Sequence, residues 1–589
     1  NVPPKAKSPK AALNAFETQP GFRVELVAAE PLVMDPVAFD WDSKGRLWVV
    51  EMADYPLGLD GKGKPGGRVK FLTDTNGDGK YDTSTLFADE IGYPSDVMVW
   101  RNGVLISAAP NIWYMEDSNG DGKADIRTAL FTGFGEGNQQ HRVNGLRWGL
   151  DNWVHLANGD SGGIVRSSKT DETINIGGRD LRVRPDTGEL QALTGQTQHG
   201  RNRDDWGNWW GANNSNPMFQ YLLQDHYMAR NPHISYPNPR HPVATLQDSP
   251  IFPISRVMSH WEGYRPPPPG APSRFTSACS TIIYRDEYLG KALHGDMFVS
   301  APVHNLVHRR AISFDGLLMR STKPDGEDDT EFLRSRDSWF RPTTIRTGPD
   351  GALWIADIYR IVIEHPQWID DRREQELDLR EGHDKGRIYR VIRDNKKPAT
   401  MPDFDNLNDQ SLVNLLGSSN GWVRDYAHRQ LLWHKTPDEI APALVEAMRT
   451  SKSALHRLHA LCALDGINKL SIADLGVALS DNEPQVVRHA VRISERYAMP
   501  KPDLDVINTL LALSTVNNDP FVAQQLAYSL GEFDHPRAGQ ALGTVIVRHQ
   551  EDPFVMAAAY SSLAKQPADV LLAVRQNSGE EDDPSAHVA

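Results

Sequence analysis

The chain has 589 residues, 39% of them hydrophobic, with 46 glycines, 40 prolines and a formal net charge of −14. That composition describes a turn-rich globular protein of more than one domain and excludes a disordered chain. An acidic balance without a basic stripe argues against nucleic acid as a partner, and no apolar run approaches the ~18 residues of a membrane-spanning helix.

Residues 1–19 form an N-terminal extension. The chain opens on Asn1 rather than methionine, which reads as a mature chain whose targeting segment has been removed, and so as a periplasmic or secreted protein. Two distant cysteines, Cys279 and Cys462, make no disulfide framework or metal motif, and there is no CxxCH haem-attachment sequence.

From residue 20 to 398 one pattern recurs: an apolar strand, a tight turn with Asp, Asn or Gly, and a second apolar strand. It is seen as VAFDWDSKGRLWVVEM (37–52), VMVWRNGVLISAAP (97–110), LRWGLDNWVHLANG (146–159), GRNRDDWGNWWGANN (200–214) and IRTGPDGALWIADIY (345–359). Hairpins repeated about every 50 residues are the signature of a β-propeller. The interval 214–345 has room for two further blades, and STIIYRDEYLGKALHGDMFVSAPVHNLVHRRAISFDG (280–316) supplies strands for at least one. The expected total is about six. The proline-rich stretch 231–274, with PPPP at 266–269, reads as an irregular insertion that roofs one face.

Beyond 399 the period changes from two to helical. NGWVRDYAHRQLLWH, SALHRLHALCALDGI, PQVVRHAVRISERY, DPFVAQQLAYSLGEF and DPFVMAAAYSSLAKQ carry central alanines at 427, 460, 490, 527 and 559. That pitch predicts an all-α solenoid of the HEAT type over 399–575, a surface for a protein partner, followed by a flexible acidic tail at 576–589.

DTNGDGKYD and DSNGDGKAD are the sharpest local motifs. Asp74, Asn76, Asp78, Lys80 (through its carbonyl) and Asp82, and likewise Asp117, Asn119, Asp121, Lys123 and Asp125, place oxygens at alternate positions around a glycine turn, the pattern of a calcium loop. The competing reading is an Asx-turn without metal. His141 stands just before an inner-strand candidate, where propeller loops line the central funnel and a histidine serves as general base. Other hairpins carry polar residues at comparable places: Glu51, His199, His304, His308, Asp357, Tyr359 and Arg360. Glu364 and His365 in IEHPQW read as structural. Trp206, Trp209, Trp210, Trp339 and Trp354 are either sugar-stacking surfaces or, more in keeping with tryptophan, blade core.

Several stretches resemble one family along nearly the whole chain: SPKAALNAFETQPGFRVELVAAEPLVMDPVAFDWDSKGRLWVVEMADYP, QQHRVNGLRWG, FTSACSTIIYRDEYLG, APVHNLVHR, DSWFRPTTIRTGPDGALWIADIYRIVIEHP, DLREGHDKGRIYRV and NGWVRDYAHRQLL. The family is the membrane-bound dehydrogenases of the Pirellula/Verrucomicrobium type, which often end in a c-type cytochrome domain. Its propeller is similar to the soluble quinoprotein glucose and sorbosone dehydrogenases, which use pyrroloquinoline quinone (PQQ). The resemblance implies that His141 matches their histidine base and that His304 and Asn305 stand where the quinone is met. Together with the polar residues at the other hairpin ends, this gives His199, His304, Asn305, Asp357 and Glu51 as the set expected to face a cofactor, with Tyr359 and Arg360 orienting substrate or cofactor. Gln196–Gly200 stands where those enzymes carry Arg-Asn-Pro-x-Gly, and APVHNLVHR stands where they place basic residues.

Three functions follow as expectations. The first is an extracytoplasmic oxidoreductase acting on a sugar or polysaccharide-derived alcohol, passing electrons to a quinone and a cytochrome. The second is a carbohydrate lyase or hydrolase with His141, His199 and His304 holding a transition metal. The third is a non-catalytic propeller that binds glycan.

Overall fold

The computed structural model describes residues 3–434 and 436–578; the acidic tail expected at 576–589 lies outside the described residues from 579 onward. Residues 16–393 form six antiparallel sheets arranged as a ring, a six-bladed β-propeller. The inner strands are Pro36–Trp41, Asp96–Trp100, Asn144–Trp148, Asn202–Arg203, Cys279–Ile283 and Pro342–Thr347. Each begins a hairpin that the sequence pattern marks. Their neighbouring strands are buried along their whole length, as in Leu47–Glu51 and Leu353–Asp357, because the next blade covers each face.

The ring is closed by hydrogen bonds. Phe22–Ala29 pairs antiparallel with Arg387–Arg393, so the start of the chain supplies the outer strand of the last blade. Phe16–Thr18 likewise joins Leu333–Ser335 in the fifth blade. Closure leaves no strand edge at the seam, where unpaired backbone would otherwise be exposed. The interval 214–345 holds one further blade rather than two. Met218–Tyr221 and Arg240–Ala244 first complete the fourth blade, and residues 245–278 then run as irregular chain over the funnel.

Eleven α-helices follow among the described residues, in two layers. Gly421–Leu432, Ala454–Gly466, Pro484–Ser494, Pro520–Ser529 and Pro553–Ser561 stack in sequence as the inner layer. Their starts are fixed locally. Asn420, Ser453, Asp519 and Asp552 each accept hydrogen bonds from first-turn N–H groups, and Pro484, Pro520 and Pro553 occupy first-turn positions that need no donor.

The inner layer docks on the propeller where the tight turns of the inner hairpins emerge, and every blade contributes. Trp422 donates to Asp40, Arg429 to the Val99 carbonyl, Arg492 to the Leu150 carbonyl, Arg424 to Asp205, and Asn420 to Asp286 and the Gly348 carbonyl. Arg203 and Arg285 of the propeller both donate to Asp425, each at 2.7 Å. A single apolar cluster runs from the first blades into the helices. The face a solenoid would present to a partner protein is therefore taken up by its own propeller.

Candidate functional site

At the end of the ring opposite the helices lies a cavity of about 400 Å³, within the ~300–1,000 Å³ usual for small-molecule sites. Its floor is an ion-pair plug between inner strands. Asp96 accepts from Arg147 at 3.1 Å and Arg346 at 2.9 Å, and Arg346 also meets Asp40 at 3.3 Å. Its roof is the proline-rich insertion, through Ser259 and Trp261, together with Ile363, Glu364 and Trp368 from the loop after the sixth hairpin. A bridge between Trp261 and Ile369 ties these two segments together.

His141 lines the wall, as the sequence predicts. It ends a single 3₁₀ turn, Gln139–His141, capped by the Asn138 side chain. Burial, opposed by the charge of Asp160, holds its ring below the ordinary imidazole value, so it is neutral at pH 7. Its Nε2 lies 3.0 Å from Gln198 Nε2. The Gln198 carbonyl oxygen accepts from the Asn214 N–H at 2.7 Å, which fixes the amide. The Gln198 NH2 group therefore donates, His141 Nε2 is the acceptor, and the neutral ring carries its proton on Nδ1. His199 lines the same wall with its ring centroid 6.3 Å from that of His141; burial, then His141, push it down to about 3.

The other expected site residues are not brought there. Tyr359 is fully buried, and its hydroxyl donates to Asp337 at 2.8 Å. Arg360 is buried against Asp35 at 2.6 Å and the Tyr55 carbonyl. Glu51 is consumed by Arg68, Lys70 and the Met34 N–H. Asp357 accepts from the Arg341 and Tyr359 N–H groups, and burial pushes it up to about 7. Asn305 holds the Phe340 carbonyl at 2.6 Å and the Ser255 hydroxyl. His304 Nε2 meets the Tyr264 and Ser273 hydroxyls, and His308 is paired with Glu331. These residues lie at or beside strand ends, where their pairing with buried partners turns them into the blade instead of the funnel. His141, His199 and His304 thus form no common metal site. Among the described residues no group of three or more His, Cys, Asp or Glu is placed to hold a metal ion.

The two glycine loops close on themselves. Asp74 accepts from the Gly77, Asp78 and Gly79 N–H groups, Asn76 from Asp78, Asp78 from Lys80, and Asp82 from Thr75. Asp117, Asn119, Asp121 and Asp125 repeat the arrangement. These are nested Asx-turns, in which loop N–H groups engage the side-chain oxygens of the expected calcium ligands.

Sequence reasoning missed three lining residues, Trp261, Trp368 and Glu364, and one residue that supports the wall. Gln198 fixes the His141 tautomer. Trp261 and Trp368 are 37% and 46% exposed, the two accessible tryptophans of the site. Glu364 accepts from the His260 N–H at 3.0 Å and leaves Oε2 without a protein partner. The only sequence signal for the tryptophans is their place in irregular, proline-flanked segments. By contrast Trp210 and Trp354 are blade core, and Trp339 is buried in a turn against Tyr359 and the N-terminal extension. Cys279 also lines the cavity, but burial pushes its thiol up to about 12, far from a nucleophile.

A tricarboxylate quinone requires free cations. All five Arg341 N–H groups are directed to carbonyls, Arg147 serves Asp96, and Arg142 donates to the Glu136 carbonyl with a 4.0 Å contact to the Glu136 carboxylate. One partly free guanidinium against three carboxylates does not fit PQQ, and no step is assigned to that cofactor.

The fold and cavity define a six-bladed propeller with a roofed funnel site and a helical base. Residues 8–395 match the model of the family described as a domain of unknown function, DUF7133, and the chain belongs to that family. No curated protein matches it. Among solved structures it is similar to a luciferin-regenerating enzyme (10% identity, 65% of this chain and 98% of that one, TM-score 0.37). It is also similar to the holo PQQ domain of pyranose dehydrogenase from Coprinopsis cinerea (12%, 64% and 97%, 0.35) and to the PQQ-bound aldose sugar dehydrogenase from Streptomyces coelicolor (12%, 64% and 100%, 0.33).

Proposed function

We propose that the funnel is the active site of an oxidoreductase that oxidises a sugar or polysaccharide-derived alcohol, with His141 as the proton acceptor. The observation that supports this reading most directly is a neutral imidazole on the wall of a cavity that also exposes two tryptophans. The tryptophan faces pack against the apolar face of a pyranose. In the resting site the Gln198 amide occupies the His141 Nε2 lone pair and keeps that nitrogen unprotonated. A substrate hydroxyl takes the place of the amide as donor, and His141 removes its proton as hydride leaves the carbinol carbon for a two-electron acceptor. The acceptor in this reading is a quinone other than PQQ, which takes the hydride and leaves as the quinol, and a cytochrome is the class the family resemblance supports as the terminal one.

A second reading keeps the ligand and drops the redox step. Glu364, with one oxygen unpartnered in the roof of the same cavity, serves with His141 as the acid and base of a sugar lyase or hydrolase.

The test is a panel of mono- and oligosaccharides with an artificial electron acceptor, alongside product analysis without one. Sugar-dependent dye reduction that falls about 10²–10⁴-fold in His141→Asn, the usual contribution of a general base, supports the oxidoreductase. Product release without acceptor, lost in Glu364→Gln, supports the second reading. Sugar binding with neither reaction would overturn both and leave a glycan-binding module.

A further inference from the structure

A second cavity lies in the joint between propeller and helices. It is about 120 Å³, room for a few waters at ~30 Å³ each. Its propeller wall comes from the third and fourth blades, through Asp151, Arg182, Arg201 and Trp209; its helical wall comes from Arg488 and Arg492 on Pro484–Ser494.

Two of the four guanidinium groups in this cavity have no ion-pair partner among the described residues. Arg182 is paired with Asp151, and Arg201 with Asp180 at 2.7 Å. Arg488 and Arg492, one turn apart on the same helix face, make no ion pair with any described residue. Arg488 donates to Asn208 and to the Trp206 carbonyl. Arg492, with five N–H donors, makes a single hydrogen bond, to the Leu150 carbonyl at 3.2 Å. Between them His489 is held neutral, first by burial and then by the two guanidinium charges, so it adds no third positive charge. Asp204 and Asp519 act on Arg488, and Asp465 and Asp151 on Arg492, only from beyond ion-pair distance. The buried Arg492 Nε has no hydrogen-bond partner among the described residues. Two guanidinium groups so placed against one small space form an arrangement whose desolvation cost an anion removes.

We propose that this joint cavity binds a free tetrahedral oxyanion, inorganic phosphate or sulfate, against Arg488 and Arg492. The planar forks of two guanidinium groups match the edges of such an ion. The volume admits a single such ion. Because one wall is propeller and the other helix, the bound ion clamps the two parts together.

The experiment is phosphate titration of the full chain, by calorimetry and by thermal unfolding with chloride replaced by phosphate at constant ionic strength. We expect one saturable site, a rising unfolding midpoint, and competition by sulfate. Arg492→Gln should weaken binding at least about tenfold, the scale of one charge-assisted hydrogen bond. A midpoint identical in chloride and phosphate would overturn the proposal and leave a water-filled joint. Unchanged affinity in Arg492→Gln would also overturn it, by placing the ion elsewhere. Should that variant fail to fold, Arg488→Lys, which keeps the charge and loses the fork, is read the same way: weaker binding supports the site and equal binding overturns it. Glucose 6-phosphate is titrated in parallel. No binding supports the free ion, and binding tighter than phosphate overturns that assignment.

Discussion

Removing Asp425 tests whether the propeller and helices are welded by charge. Its carboxylate, on the helix Gly421–Leu432, accepts from Arg203 and Arg285, both propeller residues, each at 2.7 Å. Its side chain is 16% exposed and theirs 1% and 11%. Burial alone would raise it, but Arg203 and Arg285 hold it well below the ordinary carboxylate range. In Asp425→Ala, Arg285 keeps Asp205, whereas Arg203 retains only the Trp148 and Asp204 carbonyls. One guanidinium charge is left buried and unpaired, a defect that costs about 3–5 kcal/mol. Urea unfolding, followed by far-ultraviolet dichroism for the helices and by tryptophan fluorescence for the propeller, should show the midpoint falling and the two probes separating. Asp171→Asn, which breaks the exposed pair with Arg166, is the control and should move nothing measurable. A loss under about 1 kcal/mol in Asp425→Ala, the scale of a surface pair, with the probes still coincident, would refute the reasoning.

Other outcomes follow from the same structure. Trp261→Ala and Trp368→Ala should each raise KM for a sugar by up to about tenfold, the ~0.5–1.5 kcal/mol of an aromatic contact, with kcat little changed; loss of kcat alone would contradict a stacking role. Treatment with EGTA should leave the unfolding temperature unchanged, since the 74–82 and 117–125 loops close on their own backbone; a fall of several degrees would restore them as calcium sites. Glu495, buried beside Tyr227 and Ser529, is pushed up to about 7 by burial. A carboxyl whose folded pKa is raised weakens the fold progressively as pH climbs from its unfolded value of ~4.3 towards that value of about 7. Glu495→Gln should therefore stabilise the protein at pH 8 and change little at pH 4, as read by thermal unfolding at both. The proton-acceptor role of His141 predicts activity that falls on the acid side, with its limb below the ordinary imidazole value of ~6.5, because the ring must be neutral to accept.

The hairpin repeat and the helical pitch were legible in the chain because both are local periodicities. Residues such as Phe39, Trp41, Leu47 and Val49 alternate or run apolar for reasons that involve only strand geometry and burial. The central alanines mark the helices packed on both sides, where a larger side chain would not fit. His141 was legible for the same reason, since its place before an inner strand fixes which end of the ring it occupies. Orientation was not legible. Glu51, Asp357, Tyr359 and Arg360 sit at the right strand ends, yet pairing with Arg68, Arg341, Asp337 and Asp35 turns them into the blade, and each partner lies in another segment or blade. Trp261, Trp368 and Glu364 reach the cavity from irregular segments that carry no period to read. Tertiary structure alone decided that the helices cover the base of the ring and leave the funnel open only on the side of His141, because that contact joins residues hundreds of positions apart through side chains whose sequence neighbourhoods are unremarkable.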